Sequence, residues 1–187
     1  MHRNDLLDQL NRYRTRYMDE AAHVQRAKRF IATHPDTFHR DHWPAHVTGS
    51  AWVVDPGRTA ALLLHHKKHD RWFQPGGHAD GDPDVRRVAL RETSEETGLD
   101  PGHIRLLDHA IFDVDIHTLP DRPGCPRHDH IDIRYLLEID SSLPIPGNDE
   151  SHELRWVPLR EVARFNNNLS TRRMVEKSRH LIPRRDD

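Results

Sequence analysis

The segment from Asp82 to Leu99, DPDVRRVALRETSEETGL, constrains this chain more than any other. Its periodicity is helical, and Val85, Val88 and Ala89 form one apolar stripe. Glu92 and Glu96 continue that stripe instead of facing away from it, and Glu95 stands beside them. The acids therefore point where the helix packs. Carboxylates gathered there repel one another and resist desolvation unless a cation sits among them. An all-carboxylate donor set suits a hard divalent ion, Mg2+ or Mn2+. The bland alternative is a solvated acidic helix, against which spacing, caps and glycines all agree.

The ends of the segment fit the same reading. Asp82 is expected to be the N-cap, with Pro83 at the first helical position, where a missing N–H costs nothing. Gly98 is expected at C′ with Leu99 after it, in a Schellman arrangement. Upstream, Pro75-Gly76-Gly77 reads as a loop whose backbone can approach a ligand or metal closely.

From Gly77 to Leu99 the chain resembles the Nudix box, the signature of the Nudix hydrolases, G-x5-E-x7-R-E-U-x-E-E-x-G-U with U apolar. Arg91, Glu92, Glu95, Glu96, Gly98 and Leu99 fall in their places, whereas Pro83 replaces the first glutamate and Thr93 the first U. In the family that glutamate is a structural partner of the box arginine, so its loss touches a salt bridge more than the chemistry. The resemblance implies metal ligation by Glu92, Glu95, Glu96 and the Gly77 carbonyl, with the same glutamates as catalytic residues and Mg2+ or Mn2+ as cofactor. Arg91, paired with Glu92 in the motif and pointing off the acidic stripe, reads as structural, with phosphate contact the competing role, and Gly98 reads as structural at the site. The implied fold is an α/β/α sandwich with a mixed sheet. The implied reaction is hydrolysis of a phosphoanhydride in a nucleoside diphosphate linked to a moiety X. The box does not name X.

Composition narrows the class. At 187 residues the chain has room for one core, and 31% charged residues against 35% apolar ones predict a large polar surface. A net charge of −2 gives no reason to expect a nucleic-acid polymer as partner. The single cysteine, Cys125, excludes an internal disulfide and a cysteine-rich zinc site. No stretch reads as a signal peptide or a membrane span, so a cytoplasmic location and no membrane partner are expected. The 17 histidines are the compositional outlier, most of them read as surface residues.

Taken in order, Asn4 to about Thr33 reads as helix with a break near Thr15, its stripe of Leu6, Leu10, Tyr13, Tyr17, Ala21, Val24 and Ile31 packed on the core. A homodimer seam is the competing reading of that stripe. Strands follow at Val47–Val54 and Thr59–His65, then the acidic helix, one long strand at Ile104–His117, and strands at Asp129–Ile139 and Leu154–Val157. Helices are expected at Pro158–Phe165 and Leu169–Leu181, with Arg184–Asp187 frayed. The order is that of an α/β chain with a mixed sheet. One domain is expected: an N-terminal helical extension over 1–40, a Nudix-like core over 44–165, and a C-terminal helix and tail over 166–187.

Beyond the box, three groups matter. Glu96, Glu150 and Glu153 are the candidates for a general base. Trp52, Trp72 and Phe73 either stack on a base or fill the core. In the two later strands, period-two alternation sets Asp113, Asp115 and His117 on the same face as His128, His130, Asp132 and Arg134 once the strands pair as a hairpin. That face is either solvated or a wall of the substrate pocket, in which His128, His130 and Arg134 meet phosphate or a polar X. A histidine-held metal is the lesser option there. A nucleotide-binding sensor without turnover, and a zinc protein built on the histidines, are the competing functions.

Overall fold

A computed structural model describes residues 3–181; the expected fraying of 184–187 lies outside the described residues. The helices are α1 (Arg3–Arg12), α2 (Met18–Thr33), α3 (Val85–Thr97) and α4 (Leu169–Ser178). The strands are β1 (Ala45–Val54), β2 (Ala60–His66), β3 (Arg71–Phe73), β4 (Gly76–His78), β5 (Arg105–Leu106), β6 (Asp113–Leu119), β7 (His128–Glu138) and β8 (Ser151–Pro158). The chain divides into two compact units, and β1, α3 and β7 each contribute residues to both.

The first unit comprises the described residues of Met1–Ser50, Gly76–Ala89 and His109–Tyr135. Its strands run β4, β1, β7, β6. β4 is antiparallel to β1, with Thr48 opposite His78 and Ser50 opposite Gly76. β6 is antiparallel to β7, with Asp113 opposite Arg134 and His117 opposite His130. Leu6, Leu10, Val24, Ala27 and Ile31 of the N-terminal helices are buried, as their spacing requires. The break falls where expected: the Tyr17 N–H donates to the Thr15 hydroxyl, and α2 starts afresh behind it. One residue of α2 went unnoticed in the sequence. Glu20 is fully buried and accepts from the Tyr13 hydroxyl at 2.7 Å, the Thr15 hydroxyl, and the Val114 N–H at 3.0 Å. This acid ties α2 to β6 through a backbone donor that the edge of the ladder leaves over.

Gly49 sets how closely α3 lies on β1. A Cβ there would stand 2.8 Å from the Val85 carbonyl and 3.0 Å from the Val88 Cβ. Only the absence of a side chain lets the first turn of α3 seat against the strand, with Val85, Val88 and Ala89 fully buried.

The second unit comprises the described residues of Ala51–Pro75, Leu90–Asp108 and Leu136–Asp187. Here the order is β3, β2, β1, β7, β5, with β8 on β2. β2 and β8 are antiparallel from Ala60 opposite Pro158 to His66 opposite Ser151. β1 and β7 run parallel: Asp129 donates to Pro44 at the start of both strands, within the first unit, and Ile139 to Val54 at their ends, within the second. The sheet is therefore mixed. Trp52 is fully buried and donates to the Ser178 hydroxyl at 2.7 Å, which makes it a core residue and not a stacking platform. Glu138 is buried between Arg58 and Arg105.

β1 and β8 start earlier than expected, at Ala45 and Ser151, α4 stops earlier, at Ser178, and three elements differ in kind. The long strand over Ile104–His117 is two strands, β5 and β6; Leu107 and Phe112 still donate to Leu136 and Arg134 of β7, but between them the chain departs, with Asp108, His109 and Ala110 exposed. The helix over Pro158–Phe165 is only a single turn at Val162–Arg164, because Pro158 closes β8 and its carbonyl accepts the Glu161 N–H. Gly76–His78, read as loop, is β4: a Cβ at Gly76 would lie 2.1 Å from that of Ser50, so the glycine is what permits the pairing.

Candidate functional site

α3 is built as a platform for its carboxylates. Its N-cap is Asp84, not Asp82: the Asp84 carboxylate accepts from the Arg87 N–H at 3.2 Å, and its carbonyl from Val88 at 3.0 Å. Asp82 instead accepts from the Asp84 N–H and takes a two-pronged hydrogen bond from Arg87, both arms 2.7 Å. Those bonds from Arg87 hold the Asp82 carboxyl below its usual range. Pro83 lies between these two acids, ahead of the helix. At the other end Gly98 is left-handed, with φ 70°, and its N–H donates to Ser94. The Leu99 N–H turns to the Thr97 hydroxyl, so the stop is the simpler single-bond αL cap and not a Schellman motif.

The three glutamates differ in environment. The side chain of Glu92 is 14% exposed and that of Glu95 56%, while Glu96 is only 6% exposed. Glu92 and Glu96 follow the packed stripe, and Glu95 lies toward solvent. Arg91 bridges Glu92 at 2.7 Å and Glu95 at 3.2 Å. Arg91 is thus shared between two of the three acids, and the donors of all three are oxygen. That set fits a hard divalent cation. Thr93, at the apolar box position, is fully buried. Gly77 lies on β4 opposite Gly49. Of the other candidate bases, Glu153 pairs with Arg155 on an exposed stretch of β8, and Glu150 is exposed just before that strand.

β6 and β7 pair as a hairpin that sets these polar residues on one face; Asp113, Asp115, His128, Asp132 and Arg134 are buried there, and His117 is exposed. Arg134 is 4% exposed and enclosed by Asp132 at 2.7 Å and by Asp113 and Asp115 at 3.2 Å. Asp132 also accepts from Ser50 and Thr48 of β1. Burial alone would raise the Asp115 carboxyl, but hydrogen bonds from His117 and His23 and the charge of Arg134 hold it well below the carboxylate range. Arg134, expected to meet substrate, thus spends its charge on three aspartates. His128 is buried and His130 half-buried on the same strand. Burial pushes His130 down to about 2, helped by its histidine neighbours. His46 is pushed down to about 4, again chiefly by burial.

A surface cluster of the second unit was not foreseen as a group. His65 stacks on Trp72 at 5.0 Å, Phe165 meets the Trp72 edge at 5.1 Å, and the Arg155 guanidinium lies 5.4 Å from the Trp72 ring. His65 and His66 face opposite ways, and His65 is bound to Asp70.

The family model described as the NUDIX domain matches residues 44–178. The chain belongs to the Nudix family. A Mycobacterium tuberculosis protein provisionally named 8-oxo-dGTP diphosphatase 3 is 31% identical over 113 residues, 58% of this chain. The chain spans about half the length of that curated relative, 49%. The Nudix fold is further supported by solved structures. A Caenorhabditis elegans Ap4A hydrolase in a binary complex superposes with a TM-score of 0.58 at 16% identity, over 70% of this chain and 93% of that one. The Nudix domain of Shewanella oneidensis NrtR, complexed with ADP ribose, gives 0.51 at 18% identity, over 71% and 85%. The matched Nudix segment begins after α1 and α2, which precede it as an N-terminal helical extension.

Proposed function

We propose that the protein is a Mg2+-dependent Nudix pyrophosphohydrolase that cleaves a phosphoanhydride bond in a nucleoside diphosphate linked to another moiety. The observation that carries this reading is the placement of Glu92 and Glu96 on the packed stripe of α3 beside Arg91, with Glu95 on the solvent side. Glu92, Glu95 and Glu96 would hold the ion. When bound, Mg2+ neutralises phosphate oxygens and acidifies a coordinated water. The chain supplies the rest. Arg91 pairs with Glu92 and Glu95, Gly98 ends the helix just beyond the acids, and Glu96, the most buried of the three box acids, is the proposed general base. Of the β7 face, Arg134 is assigned to the aspartates that enclose it, and His128 and His130 to the histidine cluster around His46.

A single domain working in the cytoplasm is part of the same proposal; among the described residues no helix is long and apolar enough to cross a membrane. The test is a panel of 8-oxo-dGTP, Ap4A and ADP-ribose, the compounds named for its relatives, with Mg2+ and phosphate read after phosphatase coupling. Turnover of at least one that stops on chelation is expected. Binding without turnover would favour the second reading, a nucleotide sensor, for which the Pro83 and Thr93 departures from the box are the motivation.

A further inference from the structure

Three histidines far apart in the sequence meet in the first unit. His46 comes from β1, His78 from β4 and His130 from β7, three strands that lie side by side. One ring nitrogen from each falls within 4.8 Å of the others. The ring centroids form a nearly even triangle, 5.2 Å for His46 to His78, 4.8 Å for His46 to His130 and 5.2 Å for His78 to His130. Three imidazoles converging from a rigid sheet are the donor set of a borderline transition ion.

His46 supplies the second observation. It is fully buried, and neither ring nitrogen has a hydrogen-bond partner. A neutral imidazole carries one N–H and one lone pair, so an interior position that meets neither is costly unless something else occupies the space between the rings. His128 closes the cluster from another side, its ring stacked 4.9 Å from that of His46. Its Nδ1 donates to the Pro126 carbonyl at 2.7 Å, and its Nε2 stands 3.3 Å from the His130 Nε2. A carbonyl holding the far nitrogen is how proteins orient metal-binding imidazoles. Trp43 walls the group, 4.7 Å from the His128 ring.

We propose that His46, His78 and His130 form a second metal site, separate from the carboxylates of the box, that takes Zn2+, with His128 or water completing a four-coordinate shell. Nitrogen donors without carboxylate reject Mg2+ and Ca2+ and favour late first-row ions. The ion ties β4 to β1 and β7, and so fixes the strand that carries Gly76 and Gly77. The inference does not depend on hydrolysis.

The test uses the full chain, stripped with a chelator and held in excess Mg2+ so that hard-ion sites are filled. Co2+ is added as the probe, then displaced with Zn2+ against a chromophoric chelator. One Co2+ per chain with the intense ligand-field bands of a four-coordinate nitrogen site is expected, displaced by one Zn2+. His78→Gln and His130→Gln, both at half-buried positions, should each weaken Zn2+ by at least about tenfold. Glu92→Gln with Glu96→Gln should leave Zn2+ binding unchanged. The wild-type cobalt spectrum decides between nitrogen and oxygen donors even if a histidine variant misfolds. Absence of stoichiometric Co2+ above the Mg2+ background, undiminished affinity in both histidine variants, or loss in the glutamate variant would overturn the proposal.

Discussion

Arg134 shows what period-two alternation can and cannot reveal. The sequence correctly grouped it with Asp113, Asp115 and Asp132, because strand residues sort by face. It could not reveal burial, because the cover comes from elsewhere in the chain: His23 of α2 lies 3.3 Å from Asp115. Removing the guanidinium while keeping the acids leaves buried charge uncompensated. Arg134→Met should therefore cost about 3–5 kcal/mol in urea unfolding, and a loss under about 1 would contradict the burial described. Asp115 gives a pH signature. Its folded value lies below the unfolded one of about 4, so its contribution is complete above that pH and is lost as pH falls below it. The stability gap between wild type and Asp115→Asn should shrink on acidification from pH ~6 to pH ~3; a constant gap counts against the assignment. The histidine triangle was not legible, since no local pattern links β1, β4 and β7.

At the scale of elements, α3 was the most legible part of the chain, because a helical stripe and its terminal residues are local signals. Its start was misread by one cap. Asp82 and Asp84 both suit an N-cap, and the choice fell to Asp84 because Asp82 is engaged by Arg87. Asp84→Ala should then cost about 0.5–2 kcal/mol, whereas Pro83→Glu, ahead of the helix, should leave Mg2+-dependent turnover within a few-fold. Equal thermal stability of wild type and Asp84→Ala would show that the cap lies elsewhere. Gly49→Ala probes the seat of α3 on β1: its Cβ would crowd the Val85 carbonyl, with an expected loss of about 1–3 kcal/mol and lower turnover. The β5–β6 division and β4 escaped the sequence for opposite reasons: Leu107, Ala110, Ile111 and Phe112 carry apolar character across the gap between the strands, while two glycines conceal a strand.

Over the whole molecule, the class of fold and the family were legible from one box, whereas the burial of Glu20 against β6 was not, because an acid on a helix reads as surface. The N-terminal helices pack through Leu6 and Leu10, both fully enclosed, and Leu10→Ala should cost about 2–5 kcal/mol by thermal or urea unfolding. An unchanged midpoint would contradict core packing. The central claim is that α3 holds the catalytic ion. It is tested most directly by the Mg2+-dependent kcat/KM of wild type and of Glu95→Gln with Glu96→Gln, on whichever diphosphate the wild type turns over best. The account predicts a loss of at least about 100-fold with an unchanged circular dichroism spectrum; equal kcat/KM in the two proteins would contradict it.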